Sequence, residues 1–588
     1  MLAKKFLFIG LSTVVFFMML LIACKKDAGN GPTLAKDDNA FNAYEGHFLE
    51  ALWKLNPDEA TTNGYHKYDS LLVIPNEKSR QAVLNFVRLQ NDSMSRFESN
   101  QLSEANRIDY QILQNQLEFM NWKITILKQY EWDPSSYNLI GTFAYMLNEH
   151  YAPLAKRLRN FYEKMAEVPA YYKQVEKELK NPVQELTNLA IERHLNSIGV
   201  IEKDFEDSLK KTNIPQAEQK KMLDRAHLTA EAIRGYTTWL KTMKNDHPRG
   251  FRLGKELYDD KFKYEIQSSA NAMQTFNAAV ERKKFIHREM TKISRQLWPK
   301  YFGKRAMPAD SLDLIAKVID TLSGKHVKAS EFQAAVEAQI PKLLNFVKAK
   351  DLVTLDPTKP LIVRKQPGYM GGFTIGSMSS PGPYDKHGNY YFNVSNPAEL
   401  SPDKTESLLR EYNQYTFQLL CIHEGVPGHY VQQVYAQKSP SLIKSIFGNT
   451  AMVEGWAVYS EQMMLENGYN DEPEMKLMWY KWHLRSICNT ILDYSVHIRE
   501  MTKEQAVKLL THEAFQEQAE ADSKWKRVTV SSVQLDSYYA GYKEIMDLRD
   551  VYKAKVGDKF KLREFNEKFL SYGDAPVKYI KAAMIGVK

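Results

Sequence analysis

Two imidazoles and a carboxylate fall within one short stretch, Cys421-Ile422-His423-Glu424-Gly425-Val426-Pro427-Gly428-His429-Tyr430-Val431-Gln432, and Glu454 follows in Val453-Glu454-Gly455-Trp456-Ala457. Two neutral imidazoles and one carboxylate form a donor set that a catalytic zinc takes while keeping a position open for water. Glu424, beside the first histidine, is placed to accept that water's proton. The spacing differs from the His-Glu-x-x-His helix, whose imidazoles stand four residues apart on one face. His429 follows His423 by six residues, which on an unbroken helix puts the two about 120° apart. Pro427 and Gly428 lie between them. Proline removes a helical hydrogen bond and glycine tolerates almost any backbone angle, so the pair is expected to bulge or kink the helix and swing His429 back. The competing reading is that Pro427 and Gly428 end the helix and leave two ordinary, partly buried histidines. Glu454 weighs against it, because a second helix returning after a short loop would bring this carboxylate beside them, and its neighbours Met452, Val453, Trp456 and Ala457 are apolar.

Further candidates surround this set. Glu461 is seven residues after Glu454 and so nearly on the same helical face, where it could orient a ligating histidine; Gln432, three after His429, could do the same. The next helix is expected over 480–499, with Asp493 and His497 one turn apart, so that the carboxylate could fix the imidazole's tautomer; a buried polar pair that stabilises helix packing is the other reading. Thr502-Lys503-Glu504-Gln505 has the form of a capping box. Arg485 and Arg527 could grip a substrate carboxylate, although arginines on helix surfaces are common.

These strings resemble a family. His423-Glu424-x-x-Pro427-Gly428-His429-x-x-Gln432, Glu454-Gly455-Trp456-Ala457-x-Tyr459-x-Glu461 and Gln534-x-x-Ser537-Tyr538-x-x-Gly541 are similar to the bacterial domain-of-unknown-function family eight-eight-five. In motif order that family resembles the mainly helical gluzincin metallopeptidases, the oligopeptidases and dipeptidyl carboxypeptidases. The resemblance covers most of the chain and sharpens after about residue 350. It implies a mainly α, multi-helix, zincin-like body with a small β-sheet beside the metal helix. It also implies Zn²⁺, or another divalent metal, on His423, His429 and Glu454, with Glu424 as general base. Tyr538 matches the family's tyrosine and would donate to the tetrahedral oxyanion, a task suited to a neutral phenol, with His497 assisting it. Ser532-Val533 stands where the family usually has Pro-Gly, which leaves the backbone path before Tyr538 open. The expected activity is hydrolysis of peptide bonds in short peptides. Two alternatives stand beside it: an amidase or esterase acting on another envelope substrate, such as peptidoglycan stem peptides, and a non-catalytic binding lipoprotein that keeps the fold.

The elements that must carry these residues are mostly helices. Apolar positions recur with helical period over 41–55, 81–97, 106–127, 153–179, 216–243, 270–297 and 330–348. The exception lies between Pro360 and Pro397, where Leu361-Ile362-Val363 and Tyr390-Tyr391-Phe392-Asn393-Val394 read as strands among turn-forming glycines and prolines. An open strand edge there would pair with an extended substrate, which makes Tyr391 and Asn393 substrate-contact candidates; a purely structural hairpin is the other reading.

At the start, Lys4 and Lys5 precede an apolar run and then Leu21-Ile22-Ala23-Cys24. This reads as a lipoprotein leader, residues 1–23, cleaved before a lipidated Cys24 that anchors the protein to a membrane of the bacterial cell envelope; a plain transmembrane anchor is the alternative. Residues 24–40 are polar and suit a flexible tether. An N-terminal helical region over 41–350 and a catalytic region over 351–588 are expected to form one compact unit. The net charge of +8 would become +6 without Lys4 and Lys5, and its mixed signs argue against nucleic acid as a partner. Cys421 and Cys488 are too few for a disulfide framework. Nothing in the sequence signals an oligomeric state.

Overall fold

The computed structural model describes residues 37–367, 375–385 and 388–586; the leader, Cys24 and most of the tether lie outside them, as do Gly368, Gly371 and Gly372. The chain is mainly α with one three-stranded sheet. Helices Asp38–Leu55, Glu77–Met94, Glu104–Trp122, Gln216–Thr242, Ala272–Phe302 and Phe332–Ala349 form where the apolar period runs. The segment over 153–179 divides into Leu154–Met165 and Val168–Glu178, because Pro169 supplies no amide to continue the first helix and instead occupies the first turn of the second. The helix expected from residue 480 begins earlier, at Pro473, and runs to Ile498. The capping box on Thr502 and Gln505 forms as read.

Two apolar cores organise the body. The larger draws its buried side chains from 41–120 and again from 258–584, so it does not divide near residue 350. The other lies within 137–240. Chain ends distant in sequence are tied together: Lys444 forms a buried ion pair with Asp109 at 2.8 Å, and Tyr572 donates to Glu104 at 2.9 Å. Among the described residues no helix is long and apolar enough to cross a membrane.

The sheet has the order β1 (Leu361–Lys365), β3 (Tyr390–Val394), β2 (Gly376–Ser379). β1 runs parallel to β3 and β2 antiparallel to it. Both anticipated strands form, and β2 arises within the segment read as turns. Gly376 is admitted there because a Cβ would stand 2.9 Å from the Phe392 ring. β3 is therefore the central strand, with both of its edges paired, and cannot offer an edge to substrate. Asn393 is fully buried, donates to Ser379 Oγ at 2.7 Å and accepts from Arg364 Nε at 2.6 Å. The Tyr391 ring lies under the Arg364 guanidinium at 3.7 Å. Both residues serve the sheet itself, which corrects their reading as substrate contacts.

Candidate metal centre

The chain approaches the first histidine through helix Thr416–Leu420, which widens into a π turn, Cys421–Gly425, closed by Val426 N–H donating to Cys421 O at 3.2 Å. Such a turn re-aims side chains and recurs at functional sites. The helix ends there. After the cis Val426–Pro427 peptide, a new helix, His429–Ala436, starts at the second histidine. The break anticipated at Pro427-Gly428 thus separates two helices rather than kinking one. Gly428 is required by close approach: a Cβ would fall 2.0 Å from His423 O and 2.3 Å from Ile422 O. The turn is pinned to the next element by Trp456, whose indole N–H donates to Pro427 O at 2.9 Å.

Helix Thr450–Glu466 supplies Glu454. Its Oε2 stands 3.5 Å from His423 Nε2 and 3.4 Å from His429 Nε2, and one ligand atom from each of the three residues lies within 4.8 Å of the others. Ligands on a tetrahedral zinc at 2.0–2.1 Å stand roughly 3.3 Å apart, so the set fits one divalent ion. Among the described residues the buried Glu454 Oε2 makes no well-formed hydrogen bond, the two imidazole nitrogens being its nearest polar neighbours, and burial without a close partner is costly for a carboxylate. The two imidazoles hold the Glu454 carboxyl low against the upward push of burial, so it is an ionised donor.

Glu461 accepts from His423 Nδ1 at 2.7 Å and from Trp482 Nε1 at 2.9 Å. Burial lowers the pKa of the His423 imidazole, and Glu454 and Glu461 outweigh it and raise it to about 10; with a metal on Nε2, the Glu461 bond would keep Nδ1 as the N–H nitrogen, the orienting part expected of Glu461. Gln432 does something else. Its amide donates to Asp574, whose carbonyl receives Asn449 N–H at 2.8 Å, and Asn449 caps the Glu454 helix. Gln432 therefore ties the two ligand helices together, while His429 Nδ1 has no hydrogen-bond partner.

Glu424 and His423 line a cavity of about 90 Å³ together with Tyr538, Arg527, Lys524 and Asn489. Burial raises the Glu424 carboxyl, with Glu454 adding to the effect and the imidazoles opposing it; the main-chain N–H of Met378 on β2 also lies against this carboxyl. Tyr538 begins helix Ser537–Val556, its ring 6.4 Å from that of His423. Burial, with Glu454, pushes its hydroxyl up to about 12, so at neutral pH it keeps its proton. Arg527 donates to the Tyr538 oxygen at 3.3 Å and to Gln534 Oε1 at 2.6 Å, and among the described residues the tyrosine's own hydrogen has no hydrogen-bond acceptor. A larger cavity of about 320 Å³, lined by Arg282, Gln462 and Tyr469 among others, contains none of these residues.

The Glu454 and Tyr538 helices cross at two glycines. A Cβ on Gly541 would lie 1.6 Å from Ala451 O, and one on Gly455 would lie 2.3 Å from Gly541 C. Backbone therefore rests on backbone, one residue from Glu454 and three from Tyr538.

His497, Asp493 and Arg485 are corrected in role. His497 Nε2 lies 3.0 Å from the carbonyl oxygens of both Val528 and Ser531, and its Nδ1 accepts Leu253 N–H at 3.4 Å. Burial lowers its pKa, so it is a neutral imidazole committed to a loop and absent from the cavity beside His423. Its Nε2 stands 3.9 Å from Asp493, too far to hydrogen-bond, so the carbonyls set its tautomer. Asp493 instead receives Val533 N–H at 2.9 Å, Leu535 N–H at 3.3 Å and Tyr258 O–H at 2.9 Å. These bonds hold Val533 at φ +67°, a left-handed conformation rarely adopted by a β-branched residue; the valine keeps the glycine-like path into Tyr538. Asp536, beside the same tyrosine, is raised well above the carboxylate range by burial and by Asp493. Arg485 is engaged by Glu411 at 3.1 Å and Glu520 at 2.8 Å, although it also lines the cavity beside His423.

Asp493→Ala is expected to lower the free energy of unfolding by about 3 kcal/mol, since two buried N–H groups lose their acceptor and the strained turn is released. Guanidinium titration measures it; a loss below about 1 kcal/mol would mean that the turn holds itself. Cys421 and Cys488 are both free and buried. Sequence reasoning missed Lys524, Asn489 and the roles of Gly455 and Gly541. Lys524 precedes Arg527 by one helical turn, which was the available signal.

The comparisons with known proteins bear on the family and the fold. A solved "putative lipoprotein of unknown function from Shewanella oneidensis" shares 46% sequence identity, with a TM-score of 0.84 over 93% of this chain and 99% of the other. A "putative lipoprotein from Colwellia psychrerythraea" has the same fold at 16% identity, with a TM-score of 0.77 over 94% and 99%. No curated protein matches the chain. The family model for "Bacterial protein of unknown function (DUF885)" matches residues 57–584, and the chain belongs to that family.

Proposed function

We propose that this protein is a zinc-dependent hydrolase of the cell envelope that cleaves peptide bonds in short peptides. The observation that carries this reading is the convergence of His423, His429 and Glu454 on one small volume, with Glu424 and Tyr538 lining the cavity beside it. The order of these groups, a His-Glu pair, a second His and a Glu from the following helix, is gluzincin-like. A divalent cation held by the three ligands supplies a Lewis acid and brings the pKa of a water towards ~7; zinc suits this donor set, and other divalent metals are admitted by it.

The chain's own groups carry the remaining work. Glu424 takes a proton from the attacking water and delivers it to the leaving nitrogen. Tyr538 donates its hydroxyl hydrogen to the developing oxyanion. Glu461 holds His423 in one tautomer, and Trp482 holds Glu461. β2 is an edge strand in the sheet, and Met378 N–H faces Glu424, so β2 is the edge that would pair with an extended peptide. The small cavity suits an extended segment better than a folded protein. The envelope location is supported by the leader ending at Cys24 and by the names of the two solved relatives.

The test is elemental analysis of the protein lacking residues 1–24 after dialysis. About one zinc per chain is expected, with loss of it in His423→Ala and His429→Ala. Parent protein that holds no metal and takes up none when zinc is added would overturn the reading.

A further inference from the structure

The cavity that Glu424 lines is also lined by two cations, Lys524 and Arg527, that form no ion pair among the described residues. Glu411 is buried, and it receives Lys481 at 2.8 Å and Arg485 at 3.1 Å; these cations bring its carboxyl below the ordinary range in spite of burial. Glu520 takes Arg485 at 2.8 Å. Both carboxylates of this layer are thereby engaged. Lys524 and Arg527, one turn apart on helix Gln518–Val530 and so on one face, form no ion pair among the described residues; Glu520 and Glu411 act on Lys524, and Glu454 and Glu520 on Arg527, without a salt bridge. Lys524 is buried and its Nζ finds only Asn489 Oδ1, at 2.7 Å. Arg527 finds only Gln534 and the Tyr538 oxygen. Burying cations without an ion pair costs stability. Burial, and then Arg485, pushes the Lys524 ammonium down to about 7, with Glu520 and Glu411 opposing the shift.

We propose that Lys524 and Arg527 form the subsite for a free carboxylate of the substrate, namely the main-chain carboxylate at the end of a peptide, so that the protein trims peptides from their carboxyl ends. The inference rests on the hydrolase reading given above and deepens it. Arg527 touches the oxygen of Tyr538, the oxyanion donor, so a carboxylate bound by Arg527 lies close to the bond being cut. An extended residue spans about 3.5 Å, and a terminal carboxylate held there is one or two residues beyond the scissile carbonyl. Water adds its oxygen to that carbonyl carbon, the C–N bond breaks, and the proton taken by Glu424 passes to the departing amine of the released residue or dipeptide. Asn489 holds the Lys524 ammonium towards the cavity until the carboxylate arrives.

The test uses the zinc-loaded protein and mixed-sequence, N-acetylated hexapeptides, prepared as free acids, as carboxyl-terminal amides, and as amides with glutamate in the last position; products are weighed by mass spectrometry, with Glu424→Gln as the blank. The free acids are expected to be cut about 30-fold or more faster than either amide set, as suits a charge-assisted contact, releasing one or two residues. Lys524→Met is expected to shrink that ratio at least tenfold. Because methionine fills the buried site without charge, the variant should melt no lower than the parent, and a fall in the ratio is then not unfolding. Free acids and amides cut at equal rates would overturn the subsite and leave the hydrolase reading standing. Preference for the glutamate amide over the plain amide, matching the free acid, would overturn the main-chain assignment in favour of a side-chain carboxylate. No cleavage above the Glu424→Gln blank would overturn the hydrolase reading, and this inference with it.

Discussion

Glu424→Gln is expected to lower kcat on a cleaved peptide by about a thousandfold, the usual scale for loss of a positioned general base, while zinc content and melting temperature stay near those of the parent. Three features of the site separate these effects. Glu424 lies outside the trio whose donor atoms converge, so the ion does not depend on it. It lines the cavity shared with His423 and Tyr538, where a reacting carbonyl would sit. Glutamine has nearly the same shape and still accepts the Met378 N–H, so the turn Cys421–Gly425 need not move. Rate constants from single-turnover assays, with metal measured on the same samples, decide the matter. A variant within tenfold of the parent would remove Glu424 from proton transfer. It would also revive the view of the protein as a binding lipoprotein, which has no use for a base in that position.

The second large effect is structural. Gly541→Ala places a methyl group 1.6 Å from Ala451 O, and the nearest other atoms are also backbone. No side-chain rotation relieves that contact; the two helices must separate. The expected cost is about 3 kcal/mol or more, at the upper end of the range for overpacking. Because the crossing lies beside Glu454 and Tyr538, separation also widens the ligand cluster, so dialysed Gly541→Ala is expected to keep less than half the parent's zinc. Gly46→Ala is the control. Gly46 lies on an exposed helical face with nothing within 4 Å of an added Cβ, and there the substitution should stabilise by about 0.5–1 kcal/mol. If Gly541→Ala behaves like Gly46→Ala, the crossing is not the constraint described.

The sequence made the ligand residues legible because each ligand type has a narrow chemistry and the three sit in short strings. The helical class was legible for a similar reason, since 3.6-residue periodicity survives over long stretches such as Gln216–Thr242. Glu461 was found from its position on the face of Glu454. The misreadings have a common physical origin. Asp493 and His497 do stand one turn apart, but which partner a buried polar group takes depends on loops arriving from elsewhere, here 251–253 and 528–535. Tyr391 and Asn393 were assigned to an edge because strand order cannot be read from the strands themselves, and β2 was hidden among glycines and prolines. Lys524 carried no motif; its significance comes from what Glu411 and Glu520 are already doing. Gly455 and Gly541 appear in the motif strings, yet their contact joins segments far apart in sequence.

The interleaving of the larger core also sets an order of events during synthesis. A growing chain that has passed Glu454 already owns every proposed ligand, but Tyr538, its Gln534 and Arg527 supports, and the glycine crossing that seats the Glu454 helix are still to be made. Asp574, which fastens Gln432 and the cap of that helix, comes later still. On the proposed reading, a hydrolytic centre assembled in this way would be inert until its last helices dock.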